Sequence, residues 1–337
     1  MCGIVGVCDL GGARPVEEPI LRSMLGTIRH RGPDQFGIYL DEHVGLGNAR
    51  LSIIDLRTGQ QPISNEDGTV WIVFNGEIYN FQELREDLLS KGHKFRTKSD
   101  TETIIHLYEE RGTDFPKYLR GMFAAAIWDA GRKRLVLARD RVGKKPLYYA
   151  VTPSALAFAS ELRSLAAAEG ISKEINPAAI DAYLTLQYIP SPMSVFKGVR
   201  KLEPASVLVF ENGRERTEKY WDLPLEEEKF SRASAGELKE RLFAELSEAV
   251  KIRLISEVPL GAFLSGGIDS SIVTALMARH SSKPVKTFAI GFKEEKFSEL
   301  SYARQVARMY GTEHTEFVVE ARMTEVLEKL VRHYGEP

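Results

Sequence analysis

Two different periodicities of apolar residues divide this 337-residue chain into two parts. Up to about residue 220, short segments typical of β-strands dominate, with few helical patterns between them. After an acidic, proline-containing segment at 223–234 the period changes, and apolar strands alternate with amphipathic helices. Such alternation is typical of parallel βαβ units. We therefore expect a mostly antiparallel αβ layer domain (α+β), followed by an α/β domain, with 223–234 as the linker.

Turn signals give the first part its expected elements. Gly92 is placed to end a helix, and Asn212-Gly213 predicts a hairpin over 206–220. The predicted strands cover 3–9, 36–40, 45–54, 70–75, 123–129, 135–140, 147–151 and 155–160, and the predicted helices cover 20–29, 81–91 and 177–188. In the second part the predicted helices cover 235–253, 270–279 and 299–310, and the predicted strands cover 258–264, 285–290 and 315–319.

The composition is that of an ordinary soluble globular protein, with 43% apolar and 27% charged residues. A net charge of −2 gives no reason to expect nucleic acid or an anionic membrane as a partner. The apolar start at 3–7 is too short for a membrane span and has no basic region before it. Cys2 and Cys8 are the two cysteines, and a bridge between them is geometrically implausible on one strand. This usage fits a reducing cytoplasm, with Cys8 in the core.

Cys2 directly follows Met1, so removal of Met1 would leave a thiol and a free α-amine on one residue. Thiols titrate near ~8.5 and α-amines near ~7.7–8.0, so the amine can take the thiol proton at neutral pH. An N-terminal amine that acts as the base for its own nucleophile is an established arrangement. The alternative is a small apolar residue that begins a strand, because free cysteine often serves as a buried hydrophobe.

Three further segments carry groups that suit a small amino-acid substrate. The Arg50 guanidinium suits bidentate capture of a carboxylate, or it is a solvated charge. Asn75 beside the bare N–H of Gly76 suits an oxyanion hole, or the pair is a tight turn. Asp100 follows Ser99 at a helix N-cap pattern, and its carboxylate is also able to hold an ammonium group.

A glycine-rich turn follows the first predicted strand of the second part, in the string Leu264-Ser265-Gly266-Gly267-Ile268-Asp269-Ser270-Ser271. Bare glycines and a helix N-terminus suit phosphate oxygens. The string lacks the lysine of the Walker pattern, which disfavours simple γ-phosphoryl transfer. Asp269 suggests a Mg²⁺ ligand, and the alternative is an ordinary βα turn with Asp or Ser as the N-cap.

Taken together, these motifs resemble the class II glutamine amidotransferases, and most closely the glutamine-hydrolysing asparagine synthetase family. The resemblance implies an N-terminal nucleophile hydrolase fold, a four-layer αββα sandwich, at 2–210. It implies a hairpin end and linker at 211–234, and the N-terminal part of an ATP-pyrophosphatase domain with a parallel sheet at 235–337. The segments that carry it are Met1-Cys2-Gly3-Ile4, Arg29-His30-Arg31-Gly32-Pro33-Asp34, Gly47-Asn48-Ala49-Arg50-Leu51-Ser52-Ile53-Ile54-Asp55, Phe74-Asn75-Gly76-Glu77-Ile78-Tyr79-Asn80, Ser99-Asp100-Thr101-Glu102, Arg139-Asp140-Arg141-Val142-Gly143-Lys144-Lys145-Pro146-Leu147-Tyr148-Tyr149 and the glycine-rich string.

The resemblance implies that Cys2 attacks the glutamine amide and forms a thioester, while Asn75 and the Gly76 N–H stabilise the oxyanion. His30 is the competing candidate for the general base, and its alternative is a loop histidine satisfied by backbone groups.

For substrate binding, the resemblance implies that Arg50 holds the α-carboxylate of glutamine and that Asp100, with Glu77 nearby, holds its α-ammonium. Arg31 would belong to a loop that closes over the site. The residues implied to line the glutamine pocket are Leu51, Ser52, Ile53 and Ile54.

In the second part, the resemblance implies a site for ATP, with Asp269 as the Mg²⁺ ligand. Leu264 and Ile290 would contact the nucleoside. The residues implied to cradle the pyrophosphate are Ser265, Gly266, Gly267, Asp269 and Ser270.

The expected function is glutamine-dependent synthesis of asparagine from glutamine, aspartate and ATP. The expected location is the cytoplasm, with a possible homodimer as the assembly and with neither nucleic acid nor a membrane as a partner. Because the family's synthetase domain runs on beyond the segment that ends at Pro337, a fragment that hydrolyses glutamine without making AMP is expected. The alternatives are an amidotransferase that acts on another carboxylate, a glutaminase only, and a non-catalytic module that binds ammonia or ATP.

Overall fold

A computed structural model describes residues 2–11, 15–153, 155–224, 233–320 and 323–337. The chain separates into two compact units, one formed by residues 1–224 with 329–337 and the other by residues 225–328. Most of the predicted linker at 223–234 lies outside the described residues. Within the described ranges, no helix combines the length and the apolar character that a membrane crossing requires.

The first unit contains two six-stranded antiparallel sheets, with the strand orders β10-β8-β9-β1-β3-β2 and β12-β11-β7-β6-β5-β4. The strands are β1 (Gly3–Asp9), β2 (Gln35–Leu40), β3 (Val44–Arg50), β4 (Ile63–Ser64), β5 (Val70–Ile78), β6 (Gly121–Asp129), β7 (Arg134–Arg139), β8 (Tyr148–Val151), β9 (Ala155–Ala159), β10 (Arg200–Lys201), β11 (Ser206–Glu211) and β12 (Arg214–Lys219). The helices are α1 (Glu18–Thr27), α2 (Phe81–Ser90), α3 (Asp100–Arg111), α4 (Leu162–Ala166) and α5 (Pro177–Leu186).

The sheets pack face to face and helices cover their outer faces. Side chains of both sheets form one core, in which Leu46 of β3 and Trp128 of β6 are almost fully buried. Side chains of α1, α4 and α5 form a second core against the first sheet, and α3 packs on β5. Because both faces of β3 are covered, all seven of its residues are buried. This is the predicted αββα sandwich.

Two strand ends and the helix α3 in the first unit differ from the sequence prediction. The strand predicted over 45–54 ends at Arg50, because its neighbour β2 begins at Gln35, opposite Arg50, and offers no further partner. The strand predicted over 70–75 continues to Ile78, where it still pairs with β6. For α3 the sequence predicted the N-cap but not the helix that follows it. This helix is buried from Asp100 to Tyr108, so it lacks the separate polar and apolar faces that identify a helix in a sequence.

The second unit has the predicted βαβ pattern. Its parallel strands lie in the order β13-β14-β15, and Leu264 and Ala289 share a small core with α8. The strand predicted over 258–264 is reduced to three residues. The elements are α6 (Ala235–Lys251), β13 (Gly261–Phe263), α7 (Ile268–His280), β14 (Lys286–Phe292), α8 (Leu300–Tyr310), β15 (Glu313–Val319) and α9 (Met323–Tyr334), whose last turns belong to the first unit.

Candidate active site

A cavity of about 330 Å³ in the first unit gathers most of the residues that the sequence singled out for the binding and hydrolysis of glutamine. Cys2 and eight of the nine residues predicted to bind glutamine line it. The exception is Ser52, whose backbone N–H donates instead to Asp34 Oδ2 at 2.8 Å. The full lining is Cys2, Arg50, Leu51, Ile53, Ile54, Gln61, Phe74, Asn75, Gly76, Glu77, Ser99, Asp100, Thr101, Met122 and Lys145.

The Cys2 thiol lies at the start of β1 against the backbone of Leu51. Its Sγ is 3.4 Å from the Leu51 nitrogen and 3.6 Å from the Leu51 oxygen. Burial raises the pKa of the Cys2 thiol, although the Leu51 hydrogen bond and the Arg50 charge act in the opposite direction. The thiol is therefore protonated at neutral pH, and its use as a nucleophile requires a base.

Asn75 and Gly76 lie in β5, opposite β6. The Asn75 side chain is 1% exposed, and neither its nitrogen nor its oxygen has a hydrogen-bond partner among the described residues. Leaving such a group unpaired costs about 1–3 kcal/mol, so an unpaired amide in a cavity points to a ligand. A side chain at Gly76 would clash with the carbonyl oxygen of Met122, so only glycine fits there.

Arg50, at the end of β3, is held by the loop that follows it. Its Nη1 donates to Gln35 Oε1 at 2.7 Å, and its Nη2 donates to the backbone oxygens of Ile54 and Asp55 at 2.9 and 2.8 Å. Burial lowers the pKa of Arg50, but a guanidinium stays charged in proteins. These three bonds leave two of its five N–H donors for another acceptor.

Asp100 is the first residue of α3 and is 5% exposed. Ser99 caps the helix, with its Oγ accepting a hydrogen bond from the Thr101 nitrogen at 3.2 Å. Asp100 Oδ2 accepts from the Ile78 nitrogen at 2.9 Å. Burial, with a contribution from the charge of Glu77, raises the pKa of Asp100 to about 6. The N-cap and a carboxylate that faces the cavity are therefore both present, on neighbouring residues.

Lys145 and Gln61 line the cavity but were not predicted from the sequence. The loop before β8 places Lys145, because Asp140 Oδ2 accepts hydrogen bonds from the Phe123 and Lys145 nitrogens at 3.1 and 3.0 Å. Lys145 is 6% exposed, and burial lowers its pKa. The conspicuous 139–149 string was the available signal for this residue.

His30 and Arg31 lie in a short 3₁₀ helix, Arg29–Arg31, and neither side chain lines the cavity. Glu161 Oε1 lies 3.0 Å from both His30 Nε2 and Arg31 Nη1. The expectation that backbone groups satisfy His30 is therefore wrong, since a carboxylate holds the ring. Arg31 Nε donates to the Cys2 carbonyl oxygen at 3.0 Å, so this turn supports the backbone of the candidate nucleophile.

The glycine-rich turn of the second unit joins β13 to α7. Gly266 has a φ of +84°, and a side chain there would clash with the Tyr302 backbone. Ser265 Oγ lies 3.0 Å from Ser270 Oγ and accepts from the Gly267 nitrogen at 3.3 Å. The two hydroxyl groups thus lie together at the N-terminus of α7, where backbone N–H groups favour an anion.

The other residues predicted for nucleotide binding differ in exposure. Asp269 is exposed in the first turn of α7, and Ile290 is 53% exposed. Leu264 is 1% exposed and belongs to the core of this unit. A nucleoside is therefore able to reach the side chain of Ile290 but not that of Leu264.

Comparison with known proteins gives a family match for each of the two parts of the chain. The profile of the glutamine amidotransferase domain matches residues 1–221, and that of asparagine synthase matches residues 241–337. "Asparagine synthetase [glutamine-hydrolyzing] 1" of Bacillus subtilis (strain 168) is 39% identical over 347 residues, which cover 100% of this chain and 53% of the relative.

Two further relatives show the range of the similarity. "Putative asparagine synthetase [glutamine-hydrolyzing] 2" of Methanocaldococcus jannaschii is 37% identical over 362 residues, covering 100% of this chain and 68% of the relative. "Amidase chry2" of Gibberella zeae is 39% identical over 274 residues, covering 80% of this chain and 40% of the relative. The chain thus spans about half to two thirds of the length of the two synthetases. Because of these matches, the chain belongs to the glutamine-hydrolysing asparagine synthetase family, and residues 1–221 are its glutamine amidotransferase domain.

Proposed function

We propose that the first unit hydrolyses glutamine to glutamate and ammonia at Cys2. The observation that carries this proposal is the pairing of a thiol with an unpartnered buried amide, Asn75, in one cavity. A thiol alone is often a buried hydrophobe. A thiol beside a hydrogen-bond donor that has no partner in the resting protein is the arrangement that acyl transfer requires.

In the proposed reaction, removal of Met1 exposes the α-amine of Cys2, which takes the thiol proton as Sγ attacks the amide carbon. The negative oxygen forms hydrogen bonds with Asn75 Nδ2 and the Gly76 N–H. Collapse of this intermediate returns the proton to the leaving nitrogen and releases ammonia, with a thioester at Cys2. Water then attacks the thioester, and glutamate leaves as the thiol reforms. The raised pKa of the thiol makes the base necessary.

Charge fixes the proposed orientation of glutamine. Arg50 has two N–H donors that are not used by Gln35, Ile54 or Asp55. These two donors suit the α-carboxylate of glutamine. Asp100 suits the α-ammonium. Both lie on the lining of the cavity together with Cys2, so the amide of a bound glutamine is directed toward the thiol.

Replacement of Arg50 by alanine is expected to raise the KM for glutamine and to change kcat little, because this group holds the unreactive end of the substrate. Loss of one partner of a buried charge pair costs about 2–5 kcal/mol, and about 2 kcal/mol corresponds to roughly 30-fold in KM. Steady-state glutamate release measures both constants. Arg57→Ala is the matched control, since Arg57 is exposed in the same loop. A loss confined to kcat would contradict the assignment.

The KM for glutamine is also expected to rise as the pH falls below about 6. Burial raises the pKa of Asp100 to about 6, and a protonated Asp100 has no charge to attract the α-ammonium. Well below this pH, KM should increase by about tenfold per pH unit. Asp100→Asn should have a high KM at every pH and lack this rise. If the KM of Asp100→Asn still rose below pH 6 as it does in the parent chain, Asp100 would be excluded as the titrating group.

For the second unit, we propose a site for ATP in which the glycine-rich turn holds the pyrophosphate. Carboxylate and hydroxyl oxygens are ligands that Mg²⁺ accepts. Ser265 and Ser270 supply neighbouring hydroxyl groups, and Asp269 supplies an exposed carboxylate in the first turn of α7. Bound there, the ion would neutralise phosphate charge. The absence of a Walker lysine supports cleavage between the α and β phosphates. Family membership supports activation of aspartate as β-aspartyl-AMP, which ammonia from the first unit converts to asparagine.

The proposal is tested by incubation of a protein that contains both domains in full with glutamine, aspartate and Mg-ATP. Equal amounts of AMP, pyrophosphate and asparagine are expected, and Asp269→Ala should remove them while glutamine hydrolysis continues. ADP and phosphate in their place would contradict the proposal. AMP formation that requires a carboxylate other than aspartate would support an amidotransferase with a different acceptor.

A further inference from the structure

A second group of ligating side chains lies in the first unit and plays no part in the proposed reaction. Glu66, His93, His106 and Glu109, here called the His–Glu cluster, each offer one ligand atom, and these atoms all lie within 4.8 Å of one another. Glu66 lies between β4 and β5, His93 lies between α2 and α3, and the other two lie on α3. None of the four lines the cavity of Cys2.

The separations within the His–Glu cluster suit a single small ion. Glu109 Oε2 lies 2.8 Å from His106 Nδ1 and 3.6 Å from His93 Nδ1. Glu66 lies 3.7 Å from His93 Nδ1 through Oε1 and 3.8 Å from His106 Nδ1 through Oε2. Ligands at about 2.0–2.2 Å from tetrahedral Zn²⁺ are roughly 3.3–3.6 Å apart. The separations that involve Glu109 Oε2 and Glu66 Oε2, which are 2.8, 3.6 and 3.8 Å, bracket this range, so small side-chain shifts would complete the coordination.

Neighbouring groups hold the carboxylates of the cluster in place. The Lys94 nitrogen donates to Glu66 Oε1 at 2.7 Å, which leaves Glu66 Oε2 toward His106. Asn65 Nδ2 donates to Glu109 Oε1 at 2.8 Å, which leaves Glu109 Oε2 toward both imidazoles. Each carboxylate is therefore fixed through one oxygen and presents the other to the centre of the cluster.

Both histidines have a carboxylate near the second ring nitrogen. His93 Nε2 lies 3.2 Å from Glu110 Oε1, and His106 Nε2 lies 3.9 Å from Glu102 Oε1. A metal-bound histidine usually has a carboxylate or carbonyl at the nitrogen that does not bind the metal, because this partner fixes the ring and its tautomer. Such a hydrogen bond is present at His93, whereas the Glu102 carboxylate lies beyond hydrogen-bond distance of His106 Nε2. The Nδ1 atoms of both rings lie toward the centre.

The charges around the cluster also favour a cation. Four carboxylates surround the two imidazoles, and His106 and Glu102 are almost fully buried. Of the basic side chains nearby, Arg96 donates to the backbone oxygens of residues 65 and 66. Lys91 Nζ lies 2.6 Å from Asp87 Oδ2 and 3.9 Å from Glu110 Oε2, so it offsets only part of this negative charge.

We propose that the His–Glu cluster binds one divalent transition-metal ion, with Zn²⁺ as the best match to two nitrogen and two oxygen ligands. Mg²⁺ and Ca²⁺ prefer oxygen ligands throughout. Because four protein ligands fill a tetrahedral site, its role is structural. The ion would tie the β4–β5 turn and the α2–α3 loop to α3, the helix that begins with Asp100.

The test is a titration of the metal-free 337-residue chain with Zn²⁺ in competition with a chromophoric chelator. One ion per chain and a higher melting temperature are expected, and Co²⁺ should show the visible absorption of a tetrahedral site. His93→Gln with Glu109→Gln should lower the Zn²⁺ affinity by at least about 100-fold. Glu110→Gln should lower the Zn²⁺ affinity by about 10–100-fold, because it weakens the contact that orients the ring of His93. His280→Gln, at an exposed histidine of the second unit, should leave it unchanged.

Two results would overturn the proposal. One is the lack of stoichiometric binding, which would leave the cluster as a set of hydrogen-bonded imidazoles and carboxylates. The other is equal affinity in the parent chain and the double variant, which would place the ion elsewhere. The variants avoid the fully buried His106, since Glu109 is exposed and His93 is half-buried. Circular dichroism verifies the fold, and Glu109→Gln alone replaces the double variant if the latter does not fold.

Discussion

Replacement of Cys2 by alanine is expected to abolish glutamine hydrolysis, with a loss of at least about 10³-fold in kcat. No other cysteine is able to substitute, because Cys8 lies near the other end of β1 and is fully buried within the core of the sandwich. Glutamate release from labelled glutamine measures the loss. Glutamine binding should persist, because the groups proposed to bind its charged end are unchanged.

Cys8→Ala is the matched control for loss of a thiol. It removes a sulfur from the core and should lower the melting temperature while leaving kcat near that of the parent. Intact-mass measurement should show that Met1 is absent from the active protein, because only then does Cys2 own a free amine. Substantial hydrolysis by Cys2→Ala, or full activity with Met1 retained, would move the chemistry to another residue, with His30 as the first candidate.

The sequence predicted the architecture well because both parts carry strong local patterns. Asn212 and Gly213 both have positive φ, of 52° and 71°, and join β11 to β12 as the hairpin signal required. The parallel order β13-β14-β15 follows from the strand and helix alternation. These features depend on neighbours in the chain, which a single sequence displays.

Features that depend on distant partners were harder to predict. The segment after Arg50 is as apolar as a strand, but it lines a cavity because no neighbouring strand is available. Helix α3 is buried on nearly every side, so it lacks an amphipathic pattern. Lys145 and Gln61 reach the cavity through tertiary packing, and the His–Glu cluster joins residues that are up to 43 positions apart in the chain, from Glu66 to Glu109. Local residue patterns contain no signal for such proximity.

Replacement of Asn75 by alanine is expected to lower kcat by about 10²–10³-fold with little change in KM, as for other losses of an oxyanion donor. The amide has no hydrogen-bond partner among the described residues, so the proposed contact forms only with the reacting oxygen. An interaction made only in the transition state lowers kcat and kcat/KM together when it is lost. A variant with a normal kcat and a high KM would instead make Asn75 a substrate-binding residue.

Stability separates this role from a structural one. Because an unpaired buried amide costs about 1–3 kcal/mol, Asn75→Leu should melt no lower than the parent chain while it loses the same activity. Asn48 is the contrasting control, since its Nδ2 donates to Gln61 Oε1 at 3.2 Å and to the Phe74 oxygen at 3.3 Å. Asn48→Leu breaks these bonds and should lower the melting temperature. If Asn75→Leu were destabilised to the same degree as Asn48→Leu, the Asn75 amide would have a partner in the resting fold, and its assignment to the oxyanion would fail.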